Sequence, residues 1–240
     1  MDLDYQQKYL KYKKKYLDLK EYSGGGDDGG WFDFIFNRKK YASDAVINKK
    51  KSALQRVKRN GSALKNLPEF KDDKDVVLAA IQNTSDAYNH ASERLKEDRD
   101  VVLATVQKYG HQLKYITKYQ SDKQIVLAAV QSNGLSLQYA KKFQTDKEVV
   151  LKAVIKDGRA LQYANQFQTD RDVVLAAVKQ NGEALQYASE QLKGDRDIVL
   201  IAVVDKTRME YFASPLLIND PNFQNEIRAL RQKKFSNYYY

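Results

Sequence analysis

Charged and amide side chains return along this chain at fixed intervals, and the interval decides what chemistry is open to them. Asp73, Asp98, Asp122, Asp146, Asp170 and Asp195 are each followed by a cation, namely Lys74, Arg99, Lys123, Lys147, Arg171 and Arg196. These carboxylates recur at one phase of the repeat, as expected of helix N-caps, so no catalytic pair is assigned to them. In a stacked array they would instead form parallel rows, and we expect neighbouring copies to pair along a solvated edge. Gln138, Gln162 and Gln186 form a second row, which we take as a candidate partner-binding row. His90 and His111, the only histidines, fall in different copies without metal-ligand spacing, and the chain has no cysteine. The glycines at 24 to 30 lack the lysine, strand and helix of a phosphate loop, and no G-x-S-x-G stretch occurs. We therefore assign no catalytic residue, metal ligand or cofactor.

These rows are set by a repeat of 24 to 25 residues whose core reads D-[KR]-x-[VI]-V-L, then a glycine, then L-Q-Y-A. Such a period signals a solenoid. A degenerate copy precedes the array, since Leu54, Val57, Asn60, Gly61, Ala63 and Leu64 match Leu175, Val178, Asn181, Gly182, Ala184 and Leu185. A truncated copy begins at Asp220, and atypical end copies are what caps look like. Each aspartate is placed to cap a short amphipathic helix, with Val174, Leu175 and Val178 on its apolar face. The glycines at 110, 134, 158 and 182 are expected to end that helix in a left-handed conformation. Ala184, Leu185, Tyr187 and Ala188 then suggest a second helix, with Tyr115, Tyr139, Tyr163 and Tyr187 as core residues. The V-V-L triplets favour helix over strand because no period-2 alternation continues.

The expected fold is all-α: an α-solenoid of about six to seven two-helix repeats, preceded by an amphipathic helix on a glycine-rich linker. Residues 1–22 form the basic helix, 23–30 the linker, 31–72 an aromatic and basic capping region, 73–219 the array, and 220–240 a C-terminal cap and tail. In the first segment Tyr5, Tyr9, Tyr12, Tyr16 and Leu19 alternate at spacings of 4 and 3, a tyrosine heptad seam among lysines. Trp31, Phe32, Phe34, Ile35 and Phe36 are read as covering the open end of the array. No run of 18 apolar residues is present, so no membrane insertion is expected.

The net charge of +10 is concentrated. Arg38, Lys39, Lys40, Lys49, Lys50, Lys51, Arg56, Lys58, Arg59 and Lys65 face only Asp44 between residues 38 and 65, whereas the array carries 20 basic and 19 acidic groups. Those ten cations are the candidate polyanion-binding set.

The stretch "YQQKYLKYKKKYLDLK", followed by three glycines, resembles an N-terminal motif shared by otherwise unrelated proteins of mimivirus-like giant viruses of amoebae. Units such as "DRDVVLAAVKQNGEALQYASEQLKG" resemble a helical repeat family of unknown function in those viruses and in some amoeba-associated bacteria. The resemblance implies helical repeats and replication in the cytoplasm of an infected host. It also implies that the first segment is an address to the viral factory or virion, with Gly-Gly as a site for its removal. It carries over no activity and no binding residues. The leading expectation is a non-enzymatic module that binds a protein partner. The alternative is a nucleic-acid binder using the basic set, with Trp31 and Tyr41 adding aromatic contacts.

Overall fold

The computed structural model describes residues 29–205 and 207–236, which are all helix and turn. The chain divides into two compact units, 1–52 and 53–240. The tyrosine seam at residues 5 to 19 lies outside the described residues. In the first unit a helix starts at Gly29, so the last two glycines of the expected linker are already helical, and it runs on to Arg59.

The second unit is a solenoid of tandem α-helical repeats. Ten-residue helices run over Arg99–Lys108, Lys123–Ser132, Lys147–Lys156, Arg171–Gln180 and Arg196–Asp205, with a shorter one at Lys74–Ile81. Each starts where the sequence places an aspartate. Asp146 Oδ1, for example, accepts the backbone N–H groups of Glu148 at 3.0 Å and Val149 at 3.3 Å, two donors the first turn cannot satisfy internally.

In the first array unit the second element is one α-helical turn, Ala87–His90, and in the next four it differs from expectation. It is a 3-10 helix at Gly110–Lys114, Gly134–Tyr139, Gly158–Tyr163 and Gly182–Tyr187, not an α-helix. The physical reason lies in the spacing of its apolar side: Leu137, Ala140 and Phe143, or Leu161, Ala164 and Phe167, recur every three residues. In a 3-10 helix residues i and i+3 eclipse, so a period of three makes one continuous face. The 25-residue units replace the last 3-10 turn by one α-helical turn, Glu93–Lys96 or Glu190–Lys193, capped by Ser92 or Ser189. An i→i+4 turn takes one residue more than an i→i+3 turn, which accounts for the extra position.

The burial pattern shows how units stack. Positions 3, 4, 7 and 8 after each aspartate are fully buried, as in Val149, Val150, Ala153 and Val154. The ends of the array separate these four into two faces. The last helix, Pro221–Ser236, has only a preceding neighbour among the described residues; it buries Phe223 and Ile227, at positions 3 and 7, and places Gln224 and Arg228 at positions 4 and 8. The degenerate first copy has only a following neighbour in the array. It buries Ala53 and Val57, at positions 4 and 8, and exposes Ser52 and Arg56. Positions 3 and 7 therefore face the preceding unit, positions 4 and 8 the following one, and each terminal copy is polar on the face without a neighbour. The outward face of the first copy is thus polar in its own right. The aromatic side chains expected to cover it lie outside the described residues.

Glycine sets how closely units approach. Gly110, Gly134 and Gly158 do not adopt the left-handed backbone expected of them, and Asn133 and Asp157, which precede two of them, end their helices in extended conformation. A Cβ on Gly134 would lie 2.3 Å from the carbonyl oxygen of Ala153 in the next unit, and on Gly110 it would lie 2.2 Å from that of Ala129. The backbones touch where only hydrogen fits.

The charged rows pair between units as expected. Each cation reaches the capping aspartate of the next unit: Lys74–Asp98 at 2.9 Å, Arg99–Asp122 at 3.2 Å, Lys123–Asp146 at 2.8 Å, Lys147–Asp170 at 2.6 Å and Arg171–Asp195 at 2.8 Å. At the end of the array Arg196 pairs with Glu226. The Lys123 ammonium, bonded to Asp146, holds that carboxyl below its ordinary value of 3.8 against the opposing effect of burial, and the Val149 and Glu148 N–H groups add to this. Asp98, Asp170 and Asp195 are lowered in the same way, chiefly by Lys74, Lys147 and Arg171.

Four experiments test this packing. Gly134→Ala should destabilise by about 1–3 kcal/mol in urea titration through overpacking; relief of backbone entropy alone would stabilise by about 0.4–1 kcal/mol. Because the row carboxyls are depressed on folding, their stabilisation is complete above the unfolded carboxylate range and is lost as pH falls through the folded values. The melting temperature should therefore drop below about pH 4. Asp146→Asn, which keeps a cap and removes the charge, should cost less than about 1 kcal/mol and reduce the acid sensitivity. Restoring the internal pattern at the end, with Gln224→Val and Arg228→Val, should expose an apolar face and make the chain self-associate in analytical ultracentrifugation.

Candidate interaction surfaces

Residues not consumed by stacking lie on the outer side of the helix layer. Position 5 is leucine in all six array helices, Leu78, Leu103, Leu127, Leu151, Leu175 and Leu200, and every one is half-buried against the core. On a helix, position 5 lies beyond positions 4 and 8, on the side of the following unit, and position 6 beyond positions 3 and 7, on the side of the preceding one. Each groove between helices is thus floored by a leucine and by the position-6 residue of the next helix, as with Leu103 and Ala128 or Leu151 and Ala176. Position 6 is alanine in four of the six helices and is Lys152 and Ile201 in the other two, so the grooves beside Leu127 and Leu175 are bordered by larger side chains. Asp100, Glu148, Asp172 and Asp197 border the row at position 2, and Ile155 stands out of it, 59 % exposed. Such a row can take up apolar side chains of a bound polypeptide. The sequence reading assigned Leu175 to the helix core and missed the row; the signal was a leucine kept in every copy beyond the four positions that fill the core.

The glutamine row has a local task. The amides of Gln138, Gln162 and Gln186 are half-buried and donate to the carbonyl oxygens of Leu135, Arg159 and Glu183, each at 3.0 Å, bracing their own 3-10 turns. Gln120, Gln144 and Gln168 form a further row not singled out from sequence, donating to Leu113, Leu137 and Leu161 at 2.9, 3.1 and 3.5 Å. Tyr139, Tyr163 and Tyr187 pack half-buried on the core, whereas Tyr115, expected there, is 63 % exposed.

The basic set is divided between the two units. In the first, Lys49 and Lys51 are exposed, Lys50 is half-buried and already engaged, and the side chains of Arg38, Lys39 and Lys40 lie outside the described residues. In the second, Arg56, Lys58, Arg59 and Lys65 are exposed. Unlike the cations of the array rows, Lys49, Lys51, Arg56, Lys58, Arg59 and Lys65 form no ion pair among the described residues. His90 Nε2 lies 3.0 Å from Asp86, and no group of residues suited to a metal ion occurs among the described residues. An open cleft includes Lys156, Asp157, Arg159 and Lys179, but Arg159 is already held by both oxygens of Asp157, at 3.0 and 2.8 Å.

No helix among the described residues is long and apolar enough to cross a membrane. No curated protein and no solved structure matches the chain. One family does, over residues 51–96, 73–120, 98–142, 122–168 and 170–203, each of the first four windows taking in two successive units. These windows take in most of the array, and the chain belongs to the family described as Domain of unknown function (DUF4116).

Proposed function

We propose that this chain is a non-enzymatic scaffold that binds a protein along the outer face of its helix layer. The observation that carries this reading is the six-fold leucine row, which is only half-buried although it recurs in every helix. The charged rows pair within the array and the glutamines brace their own turns. A solenoid built this way offers one extended surface to a partner.

The finer reading is a protein of a giant virus, acting in the infected host cytoplasm at the viral factory or in the virion. The segment that includes Tyr5, Tyr9, Tyr12, Tyr16 and Leu19 serves as its address. Its likeness to the shared N-terminal motif supports this. A second reading, nucleic-acid binding, is favoured by the exposed Lys49, Lys51, Arg56, Lys58, Arg59 and Lys65, which are unpaired among the described residues.

Affinity capture of tagged protein from nuclease-treated lysate of infected cells distinguishes them. A specific protein should be retained by the wild type and lost with Leu127→Gln combined with Leu151→Gln, while circular dichroism shows the array still folded. If that variant retains the same protein, the leucine face is not the interface. If binding instead requires nucleic acid, falls steeply with salt and is lost with Lys58→Ala and Arg59→Ala, the second reading replaces the first.

A further inference from the structure

The open cleft that includes Lys156 and Lys179 lies at the C-terminal ends of the helices Lys147–Lys156 and Arg171–Gln180 and reaches Ile201 and Ala202 of the next helix. Its volume of about 320 Å³ gives room for a side chain rather than a large cofactor, since small-molecule sites run from about 300 to 1,000 Å³. Hydrogen bonds within the array have used up its side-chain acceptors. Both oxygens of Asp157 take the Arg159 guanidinium, Gln180 Oε1 accepts the backbone N–H of Gly158, and Asn181 Oδ1 accepts that of Glu183 at 3.0 Å. The groups left over are donors. The ammonium groups of Lys156 and Lys179 and the amide nitrogens of Gln180 and Asn181 form no hydrogen bond or ion pair among the described residues. A lysine in the last turn of a helix commonly serves exposed carbonyls. Lys108, at the position equivalent to Lys156, does so by donating to the carbonyl oxygen of Gln82, whereas Lys156 and Lys179 do not.

Next to Lys156 stands Ile155, 59 % exposed, the one large apolar side chain among the described residues of the six array helices that is not at least half-buried. Gln82, Gln107 and Gln131 hold the equivalent position in the preceding helices. Ile155 follows Leu151 of the leucine row by four residues, so the two share one side of their helix. Ala176 faces them from the next helix and leaves space above them.

Resting on the reading of the leucine row as a protein-binding face, we propose that this part of the array anchors an acidic, apolar segment of the bound polypeptide. An apolar side chain of that segment covers Ile155 and Leu151, and a neighbouring carboxylate enters the cleft to accept from Lys156, Lys179 and the two amides. Charge and hydrogen-bond complementarity select this occupant. An ionised carboxylate has only acceptors, and hydrogen bonds between it and an ammonium are among the stronger ones. A basic segment would set cations against cations. A nucleic-acid backbone would satisfy the donors but give no return for the exposed isoleucine.

The test uses the full chain and a short labelled peptide of two leucines followed by three glutamates. Fluorescence anisotropy should show saturable binding that weakens about tenfold or more with Lys156→Glu combined with Lys179→Glu, and also with Ile155→Ser. All three residues are exposed, so far-UV circular dichroism and the melting temperature of the array should be unchanged. A peptide with lysine in place of glutamate should bind the charge-reversed variant more tightly than it binds the wild type. Leu78→Gln with Leu103→Gln, at the far end of the row, should leave peptide binding intact, so this site and the wider leucine face can fail separately. The proposal is overturned if the charge-reversed variant or Ile155→Ser binds the acidic peptide as well as wild type. It is also overturned if a glutamate peptide without leucines binds equally, which would mark an adventitious anion site only, or if single-stranded oligonucleotide displaces the peptide at lower concentration than unlabelled peptide does.

Discussion

Each array helix has to bury two faces against two different neighbours, and the rest of the structure depends on that constraint. A helix of ten residues has little stability alone, so positions 3 and 7 depend on the preceding unit and positions 4 and 8 on the following one. Four apolar residues in the first eight positions leave no room for a charged side chain in the interior. They also fix the rotation of every helix relative to the last. Alanine at position 7 in five of the six array helices, with Thr105 in the other, and glycine at the start of the 3-10 segment follow from the same demand, because the carbonyl of Ala153 occupies the space that a side chain at position 134 would need. The stabilising energy is therefore that of burial and close contact between neighbours. The cation–aspartate rows are exposed pairs that add little stability, and their contribution is to register, since each aspartate caps its own helix while receiving a cation from the unit before.

This division of labour bears on function. A side chain that caps, braces or pairs within the array is constrained by its neighbours and has little freedom to recognise anything else. Lys123 illustrates it: the ammonium contacts Asp146 and Glu148 at 2.8 Å each, so a partner would have to displace two carboxylates to use it. The leucines of position 5 carry no such obligation. Most of their surface is spent on the core, and the part left accessible recurs at every unit.

Much of this was legible in the sequence because a repeat reveals its constraints by repeating them. The 24-residue register, the aspartate caps, the cation rows and the polar end copies follow from residue type and spacing, and the fold class follows with them. The second element was misread because Ala184, Leu185, Tyr187 and Ala188 fit an α-helical face about as well as a 3-10 one over so short a span. The discriminating spacing, Leu161 to Ala164 to Phe167, crosses the boundary between two segments. Glycine after asparagine or aspartate is ordinarily a sign of left-handed backbone; here its cause is a neighbour 19 residues away, as for Gly134 and Ala153, which no local rule contains. The leucine row was hidden for a related reason. Residue type at position 5 does not distinguish a buried leucine from a half-buried one until the direction of stacking is known.

The two ends of the array show that its length is specified. Internal units carry Val or Ile at position 3 and Val or Ile at position 8, so an array cut at any internal boundary would expose one apolar pair and invite another copy to cover it. Ser52 and Arg56 at one end, and Gln224 and Arg228 at the other, replace those pairs with side chains that lose hydration on burial. Phe223 and Ile227 are correspondingly larger than the Val and Ala they replace, so the last helix compensates with one face for what it lacks on the other. Neither end of the array therefore offers a second copy a bare apolar pair on which to stack.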